Sequence, residues 1–203
     1  MIKLALTGMI AMGKSVTGRF FAQHGVPVFD SDATVHDLYG AGAPGSLALA
    51  EIIPEAIRDG RVDLGVLSAS VQADPLLLPK VEAVIHPMVR ARCDQFFTAA
   101  THAGVPFAIA DIPLLFETGR QAEFDRVFVV SATPEQQRQR ALARPGMTPA
   151  KLDYILSRQI PDDEKRRRAD VVIDTSASLA DVEAQVTGII ASLLKEQNEH
   201  GHS

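Results

Sequence analysis

The chain has 203 residues, of which 46% are hydrophobic, and a formal net charge of −5 at pH 7. The acidic balance argues against a general affinity for nucleic acid or anionic membranes, and no apolar run reaches the roughly 18 residues of a membrane-spanning helix. The single cysteine, Cys93, excludes an internal disulfide framework. Because free thiols persist in a reducing compartment, we expect a cytoplasmic protein. The acidic charge and the lack of a long apolar run lead us to expect neither a nucleic-acid nor a membrane partner.

Short apolar runs alternate with helix-like segments along the chain, a pattern typical of a parallel sheet covered by helices. Most runs are continuously apolar, as expected for strands buried on both faces. The predicted strands span residues 3–7, 26–29, 107–111, 126–130 and 170–173. The sequence therefore predicts an α/β fold.

Residues 8–15 follow the first strand and fit the pattern G-x-x-x-x-G-K-[ST], with a helix-like segment after them. A glycine-bounded loop between a strand and a helix presents backbone N–H groups, and the positive end of the helix dipole, to a phosphate chain. Lys14 would reach the β- and γ-phosphates of a nucleotide, and the Ser15 hydroxyl would bind Mg²⁺. We therefore predict a phosphate-binding loop.

Acidic residues follow two of the predicted strands. Asp30 and Asp32 come after the second strand, and Asp111 ends the third. Because ligands of parallel α/β sheets bind at the carboxyl ends of the strands, these carboxylates could orient a hydroxyl or hold the water shell of Mg²⁺. An aspartate before Ala33 could equally serve only as a helix cap, and Asp111 could simply end a buried strand.

A largely helical segment separates the second and third strands. Apolar residues of the stretch 81–97 recur at helical spacing, and Pro87, next to His86, predicts a kink or a break. Helical insertions of this kind commonly form a substrate-binding subdomain.

Helix starts are well marked in the second half. Thr133 with Gln136 is a capping box, Thr148 precedes a proline, and Ser178 with Asp181 starts the last helix. Arginines cluster here, and Arg140 and Arg144 are candidates for a lid that closes over a triphosphate, although a charge run is commonly a solvated helix face. The polar tail 196–203 is expected to be frayed, and its His200 and His202 to form no metal site.

Taken together, these segments resemble the dephospho-CoA kinase family. The resemblance extends from residue 2 to about residue 176 and is most specific in its His-Pro, Pro-Leu-Leu-Phe-Glu and Ala-Asp-x-x-Ile-Asp elements. The matching segments are the loop 8–15, the Asp30-Ser31-Asp32 element, residues 85–87, 112–117, 140–144, 158–161, 164–166 and 169–174. The resemblance implies transfer of the γ-phosphoryl group of ATP to the ribose 3′-hydroxyl of dephospho-CoA, with coenzyme A and ADP as products.

The resemblance also implies roles for particular residues. Lys14, Asp32 and Arg140 would be catalytic, with Asp32 as the base, and Mg²⁺ would be held by Ser15 with Asp32 or Asp111 acting through water. The acceptor would contact Asp32, His86, Arg90 and Leu115. ATP would be bound by Gly8, Ala11, Met12, Gly13, Lys14, Ser15, Val16, Arg140 and Arg144.

These assignments imply one P-loop kinase domain over 1–203. Core strands would lie at about 2–30 and 106–176, a helical acceptor-binding insertion at about 45–104 and a helical lid at about 134–168. We expect a monomer or a weak homo-oligomer.

Two loop positions depart from the family pattern, which has a small residue in place of Met9 and a glycine in place of Ala11. If position 11 needs a left-handed backbone, alanine is strained there; otherwise the loop adopts a conformation that alanine tolerates. The loop alone does not identify the acceptor, so a kinase of another nucleoside-like or small hydroxyl compound, or a nucleotide-dependent regulatory module, is the alternative.

Overall fold

The computed structural model describes residues 1–200, so His202 lies outside the described residues, as does the side chain of His200. The chain divides into two compact units. The first, here called the core unit, is formed by Met1–Phe29 together with the described residues from Ala99 onward, and the second, the insertion unit, by Asp30–Thr98.

A five-stranded sheet has the order β2-β5-β1-β6-β7, and a separate two-stranded antiparallel sheet pairs β3 with β4. β1 pairs in parallel with β5 and β6, and β6 pairs in parallel with β7. The strands are β1 (Ile2–Thr7), β2 (Val28–Asp30), β3 (Ile57–Arg58), β4 (Arg61–Val62), β5 (Phe107–Asp111), β6 (Arg126–Ser131) and β7 (Val171–Asp174).

Helices account for most of the remaining described residues. In the first half of the chain they are α1 (Lys14–Gln23), α2 (Ser31–Leu38), α3 (Pro44–Ala50), α4 (Leu64–Ala73) and α5 (Leu77–His102). In the second half they are α6 (Pro134–Leu142), α7 (Pro149–Ser157), α8 (Asp162–Arg167) and α9 (Leu179–His200). Among these helices, none is both long enough and apolar enough to cross a membrane.

The central strands are buried because their sequences are continuously apolar. Every residue of β5 is buried, as are the last four of β1 and the last five of β6. Helices α1 and α9 pack against each other, α9 packs on β7, and α8 packs on β6. The predicted α/β fold with a helix-covered parallel sheet is therefore confirmed, with strand ends within two residues of the prediction.

The predicted helix starts are confirmed, with one change at α6. Thr133 accepts from the Gln136 N–H at 3.2 Å, but the Gln136 side chain does not return to Thr133 as a capping box requires. It donates to the Ser176 carbonyl at 2.8 Å instead. The start of α6 is thereby tied to the segment that follows β7.

Two expectations about where helices end differ from the structure. α5 runs from Leu77 to His102 with Pro87 inside it, so of the predicted kink or break, the break is absent. The last helix continues past residue 196 to His200, so the described part of the polar tail is helical. The hairpin of β3 and β4, with two residues in each strand, lies in a segment that was predicted to be helical.

Candidate active site

Gly8 and Gly13 are the two loop positions from which a side chain is excluded. A β-carbon on Gly8 would lie 2.5 Å from Val130 Cγ2 and 2.8 Å from the Val130 oxygen, because the loop leaves β1 directly against β6. Gly13 has a φ of 91°, and a β-carbon there would lie 3.0 Å from Thr175 Oγ1. Both glycines of the motif are thus required by backbone conformation or close approach within the core unit.

The loop reverses direction between these glycines in a tight turn over residues 9–12. The Met12 N–H donates to the Met9 carbonyl at 3.3 Å, and Ala11 has a φ of 63°. Positive φ at the third turn position, but not at the second, is typical of a type II turn, which favours glycine there. Of the two possibilities drawn from the sequence, the strained one is found, and alanine costs about 1–2 kcal/mol in this conformation.

The side chains of Met9 and Met12 are buried in the apolar core of the core unit. Met12 Sδ also accepts a hydrogen bond from the Ala132 N–H at 3.1 Å. Met9, at a position where a small residue was expected, therefore fills space in the core.

Helix α1 begins at Lys14, immediately after left-handed Gly13. The Val16 and Thr17 N–H groups donate to the Gly13 carbonyl, each at 3.1 Å, so the N–H of Val16 is already engaged. Those of Gly13, Lys14 and Ser15 have no acceptor among the described residues. Free N–H groups at the positive end of a helix form an anion-binding site.

Lys14 forms an ion pair with Asp111, and their side chains are 14% and 8% exposed. Asp111 ends β5 and lies in register with Leu6 of β1. The two strands therefore bring the loop lysine and the carboxylate to the same edge of the sheet. The Asp111 carboxylate therefore lies beside Lys14 of the loop.

Arg140 lies in the last turn of α6 and is held by Thr175. Its Nη2 donates to the Thr175 carbonyl at 2.8 Å, and its Nη1 to Thr175 Oγ1 at 3.3 Å. The buried Thr175 hydroxyl in turn lies 2.7 Å from the Met12 carbonyl and 3.1 Å from the Ser131 carbonyl. A single threonine thus links the arginine to the phosphate-binding loop.

Two glutamines from the predicted lid segment contact the loop at Ile10. Gln137 Nε2 donates to the Ile10 carbonyl, and Gln159 Oε1 accepts from the Ile10 N–H, both at 3.0 Å. Ala11 packs in a small buried cluster with Ala141 of α6 and Leu152 of α7. The segment that bears Arg140 is therefore in direct contact with the loop.

Two predicted site residues, Arg144 and Leu115, are less well placed to contact a ligand than Lys14 and Arg140. Arg144, predicted with Arg140 as part of a helical lid, lies two residues beyond the end of α6 and is exposed, so that helix does not carry it. Leu115 is fully buried in the core unit, and its carbonyl accepts from the Arg120 N–H, so it has no exposed surface for a ligand.

Asp30, the last residue of β2, and Asp32 have different surroundings in the insertion unit. Asp30 is the N-cap of α2, where Oδ1 accepts from the Ala33 N–H at 2.9 Å. Asp32 lies in the first turn of α2 and is exposed. The capping interpretation is therefore confirmed for Asp30, whereas the Asp32 side chain caps no helix among residues 1–200.

His86 and Arg90 lie on α5 within the insertion unit, and both are exposed. Residues four apart on a helix are neighbours on one face. The two predicted acceptor-binding side chains can therefore contact one ligand.

Solved structures with this fold include several small-molecule kinases. The shikimate kinase from Acinetobacter baumannii, in complex with shikimate, has a TM-score of 0.54 at 18% identity and covers 97% of this chain and 94% of its own. The dephospho-CoA kinase from Campylobacter jejuni has a TM-score of 0.73 at 23% identity, covering 96% and 98%. At these identities the similarity establishes the fold alone.

A family model described as dephospho-CoA kinase matches residues 2–181. The chain belongs to the dephospho-CoA kinase family. The dephospho-CoA kinase of Rhodopseudomonas palustris strain CGA009 is 49% identical over 195 residues, 96% of this chain and 97% of its own. That of Mesorhizobium japonicum is 50% identical over 194 residues, 95% and 97%. Protein TT1252 of Thermus thermophilus, a solved structure, has a TM-score of 0.75 at 31% identity, covering 95% and 97%.

Membership of the dephospho-CoA kinase family confirms the resemblance and the P-loop kinase fold. It also confirms the expectation of a kinase that catalyses the last step of coenzyme A synthesis.

Sequence reasoning missed three residues that contact the loop or its arginine: Gln137, Gln159 and Thr175. Gln159 lies in a segment that resembles the dephospho-CoA kinase family, and Gln137 precedes Arg140 by about one helical turn. Both signals could have singled out the glutamines. Thr175 follows the Ile-Asp element without a pattern of its own, so its role emerges only from the folded chain.

Proposed function

We propose that the chain transfers the γ-phosphoryl group of ATP to the ribose 3′-hydroxyl of dephospho-CoA. The bond between the hydroxyl oxygen and the γ-phosphorus forms, the bond from that phosphorus to the β,γ-bridging oxygen breaks, and ADP leaves. The observation that carries the proposal is the loop 8–15, which has free N–H groups at the start of α1, Lys14 beside Asp111, and a link through Thr175 to Arg140.

The proposed catalytic contribution of the core unit is electrostatic. The transition state of phosphoryl transfer spreads negative charge over the equatorial oxygens, so positive groups that are placed in advance stabilise it. Lys14 would bind the β- and γ-phosphates. Arg140, on α6 of the predicted lid, would neutralise the negative charge that develops on the transferred phosphoryl group. The free N–H groups of Gly13 and Ser15 would hold the phosphate chain.

Magnesium is the proposed companion of ATP. The described residues contain no cluster of three or more histidine, cysteine or acidic side chains that could hold a metal by itself. In P-loop kinases the phosphates and water supply most ligands, so the Ser15 hydroxyl, with the carboxylate of Asp111 acting through water, fits the ion. The carboxylate of Asp32 is the alternative partner predicted from the sequence. When bound, Mg²⁺ would neutralise charge on the β- and γ-phosphates.

The proposed acceptor site lies on the insertion unit. Asp32 would accept the proton of the ribose 3′-hydroxyl, which requires a carboxylate that is accessible and not engaged as a cap. The exposure of Asp32 and the capping role of Asp30 support this choice. His86 and Arg90 would bind the acceptor, whereas Leu115, which is fully buried, has no exposed surface to offer it.

The setting of the reaction follows from composition. We propose that the enzyme acts in the cytoplasm as a monomer or weak homo-oligomer, with ATP and dephospho-CoA as partners and with no nucleic-acid or membrane partner. The net charge of −5 supports the lack of a nucleic-acid or membrane partner, and the single cysteine supports the cytoplasmic setting.

A coupled assay of ADP formation tests the function. With Mg-ATP held constant, we expect the rate to rise saturably with dephospho-CoA and to fall to background without it, with formation of coenzyme A checked by mass spectrometry. ADP formation that is independent of the acceptor would instead indicate a nucleotide-dependent regulatory module. Turnover with another nucleoside-like alcohol but not with dephospho-CoA would overturn the substrate.

A further inference from the structure

The turn over residues 9–12 can take two forms that differ in the direction of its central peptide, between Ile10 and Ala11. Types I and II turns differ mainly in ψ of the second residue and φ of the third, which together correspond to a flip of this peptide. We propose that Gln137 is a positioning residue that holds the central peptide in its type II orientation and so presents the Ala11 N–H to the phosphates of ATP. This proposal rests on the proposed function, since it assigns the ATP phosphates to this loop.

The first argument is the hydrogen bond to the peptide itself. Gln137 Nε2 donates to the Ile10 carbonyl at 3.0 Å, and this carbonyl belongs to the central peptide. A trans peptide directs its C=O and N–H to opposite sides. The contact that holds the carbonyl toward α6 therefore directs the Ala11 N–H away from α6, and this N–H has no acceptor among the described residues.

The second argument is that Ala11 opposes the orientation it adopts. Ala11 has a φ of 63°, whereas alanine prefers the negative φ that the type I form would give it. Some other contact must therefore favour the type II form. Gln137 is only 8% exposed, so its amide has little access to water and depends on protein partners such as the Ile10 carbonyl.

The third argument is the rigidity of the surroundings. Gln159 fixes the neighbouring Met9–Ile10 peptide by accepting from the Ile10 N–H at 3.0 Å. Ala11, 7% exposed, packs against Ala141 and Leu152, which are fully buried. Gln137 also lies one turn before Arg140 on α6. The same helix thus holds the catalytic arginine and sets the direction of a loop N–H.

A double-mutant cycle between Gln137 and Ala11 tests the proposal. Methionine at position 137 preserves the length of the side chain but cannot donate to the carbonyl. We expect Gln137→Met to raise the Kd of Mg-ATP, measured by calorimetry, about tenfold, the equivalent of about 1.4 kcal/mol. In an Ala11→Gly background the same substitution should raise Kd less than about threefold, because glycine adopts positive φ without strain.

Two controls separate positioning from general damage. Gln139→Met, on the exposed part of the same helix, should leave Kd unchanged in both backgrounds. Gln137→Asn keeps an amide on a shorter side chain and should show the same rescue by Ala11→Gly; it replaces Gln137→Met if that variant does not fold, as judged by circular dichroism. An equal loss of affinity in both backgrounds, or no loss in the wild-type background, would overturn the proposal.

The outcome is independent of the acceptor. If ADP formation did not require dephospho-CoA but the rescue by Ala11→Gly was observed, the positioning role would stand and the proposed function would fail. If ADP formation required dephospho-CoA but Ala11→Gly gave no rescue, the proposed function would stand and the positioning role of Gln137 would fail.

Discussion

Lys14 carries the charge that contributes most to the proposed catalysis. Its ammonium group is mostly buried and faces the Asp111 carboxylate, so it is held at the end of β5 before any phosphate arrives. A fixed charge in a site with little water stabilises the developing charge of a transition state more than a mobile, hydrated charge does.

Replacing Lys14 with alanine should lower kcat/KM by at least about 10²–10³-fold, the loss typical of a transition-state contact. Steady-state kinetics with Mg-ATP and dephospho-CoA measures the effect. Lys195→Ala removes the same charge from an exposed position on α9 and should leave kcat/KM unchanged. Wild-type turnover of the Lys14 variant would show that the loop lysine has no part in catalysis.

Asp30 and Asp32 can be distinguished by the same substitution. Asp32→Asn should lower kcat by about 10²–10⁴-fold, the range for loss of a general base, with little change in the KM of ATP. Asp30→Asn should retain nearly full activity, because asparagine caps a helix as well as aspartate does. A large loss in the Asp30 variant with none in the Asp32 variant would reverse the assignment.

Thr175 connects three parts of the site through one hydroxyl group. Thr175→Val keeps the shape but leaves the Met12 and Ser131 carbonyls without this donor, so we expect a loss of about 1–3 kcal/mol in the free energy of unfolding and a raised KM for ATP. Urea unfolding and steady-state kinetics measure the two effects. Thr175→Ser should restore most of the stability and most of the affinity for ATP. If the serine variant shows the same losses as the valine variant, the hydroxyl group does not cause them.

How much of the site could be predicted depends on whether a residue belongs to a local pattern. Spacing alone makes Lys14 and Ser15 candidates, and the place of Asp111 at the end of an apolar strand makes it one. The contacts of Thr175 with Met12 and of Gln137 with Ile10 join positions more than 120 residues apart in the chain. No local pattern encodes such a contact, since it exists only after the elements pack.

At the scale of elements, predictions succeeded where one physical effect dominates. The central strands of the large sheet, β1, β5 and β6, are mostly apolar runs, and the starts of α6, α7 and α9 are fixed by caps. The β3–β4 hairpin was missed because two residues per strand show no periodicity. Pro87 did not break α5, because packing of the apolar face of a long helix can outweigh the loss of one hydrogen bond.

Helix α8 contributes a buried charge whose removal tests how that helix is held. Lys165 is completely buried and lies 2.8 Å from Glu117 Oε1, which also accepts from the Ile160 N–H at 2.8 Å. Glu117→Gln keeps an acceptor for Ile160 but leaves the lysine charge without its partner. We expect it to reduce the free energy of unfolding by about 3–5 kcal/mol, the usual result of breaking a buried pair.

The double variant Glu117→Gln with Lys165→Met provides the comparison, because it removes the unpaired charge as well. Chemical unfolding should show that it recovers most of the lost stability. Equal destabilisation of the single and double variants would mean that the ion pair does not hold α8 in place.

For the whole molecule, acid is expected to weaken the fold through carboxylates whose pKa values are low in the native state. Hydrogen bonds from Ser176 lower the pKa of Asp174, and the hydrogen bond and charge of Arg168 lower that of Glu164. A carboxylate with a lowered native pKa contributes stability above its unfolded pKa, about 4, and loses that contribution as the pH falls through the native value.

Asp174→Asn tests this dependence, since asparagine can still accept from the Ser176 N–H, which lies 2.8 Å from Asp174 Oδ1, but carries no charge to titrate. Urea unfolding at pH 7 and near pH 3 gives the difference in stability between wild type and variant. The wild type should be more stable than the variant at pH 7, and this advantage should shrink near pH 3, where the native carboxylate becomes protonated. An advantage that stays constant between the two pH values would mean that the charge of Asp174 is not linked to folding.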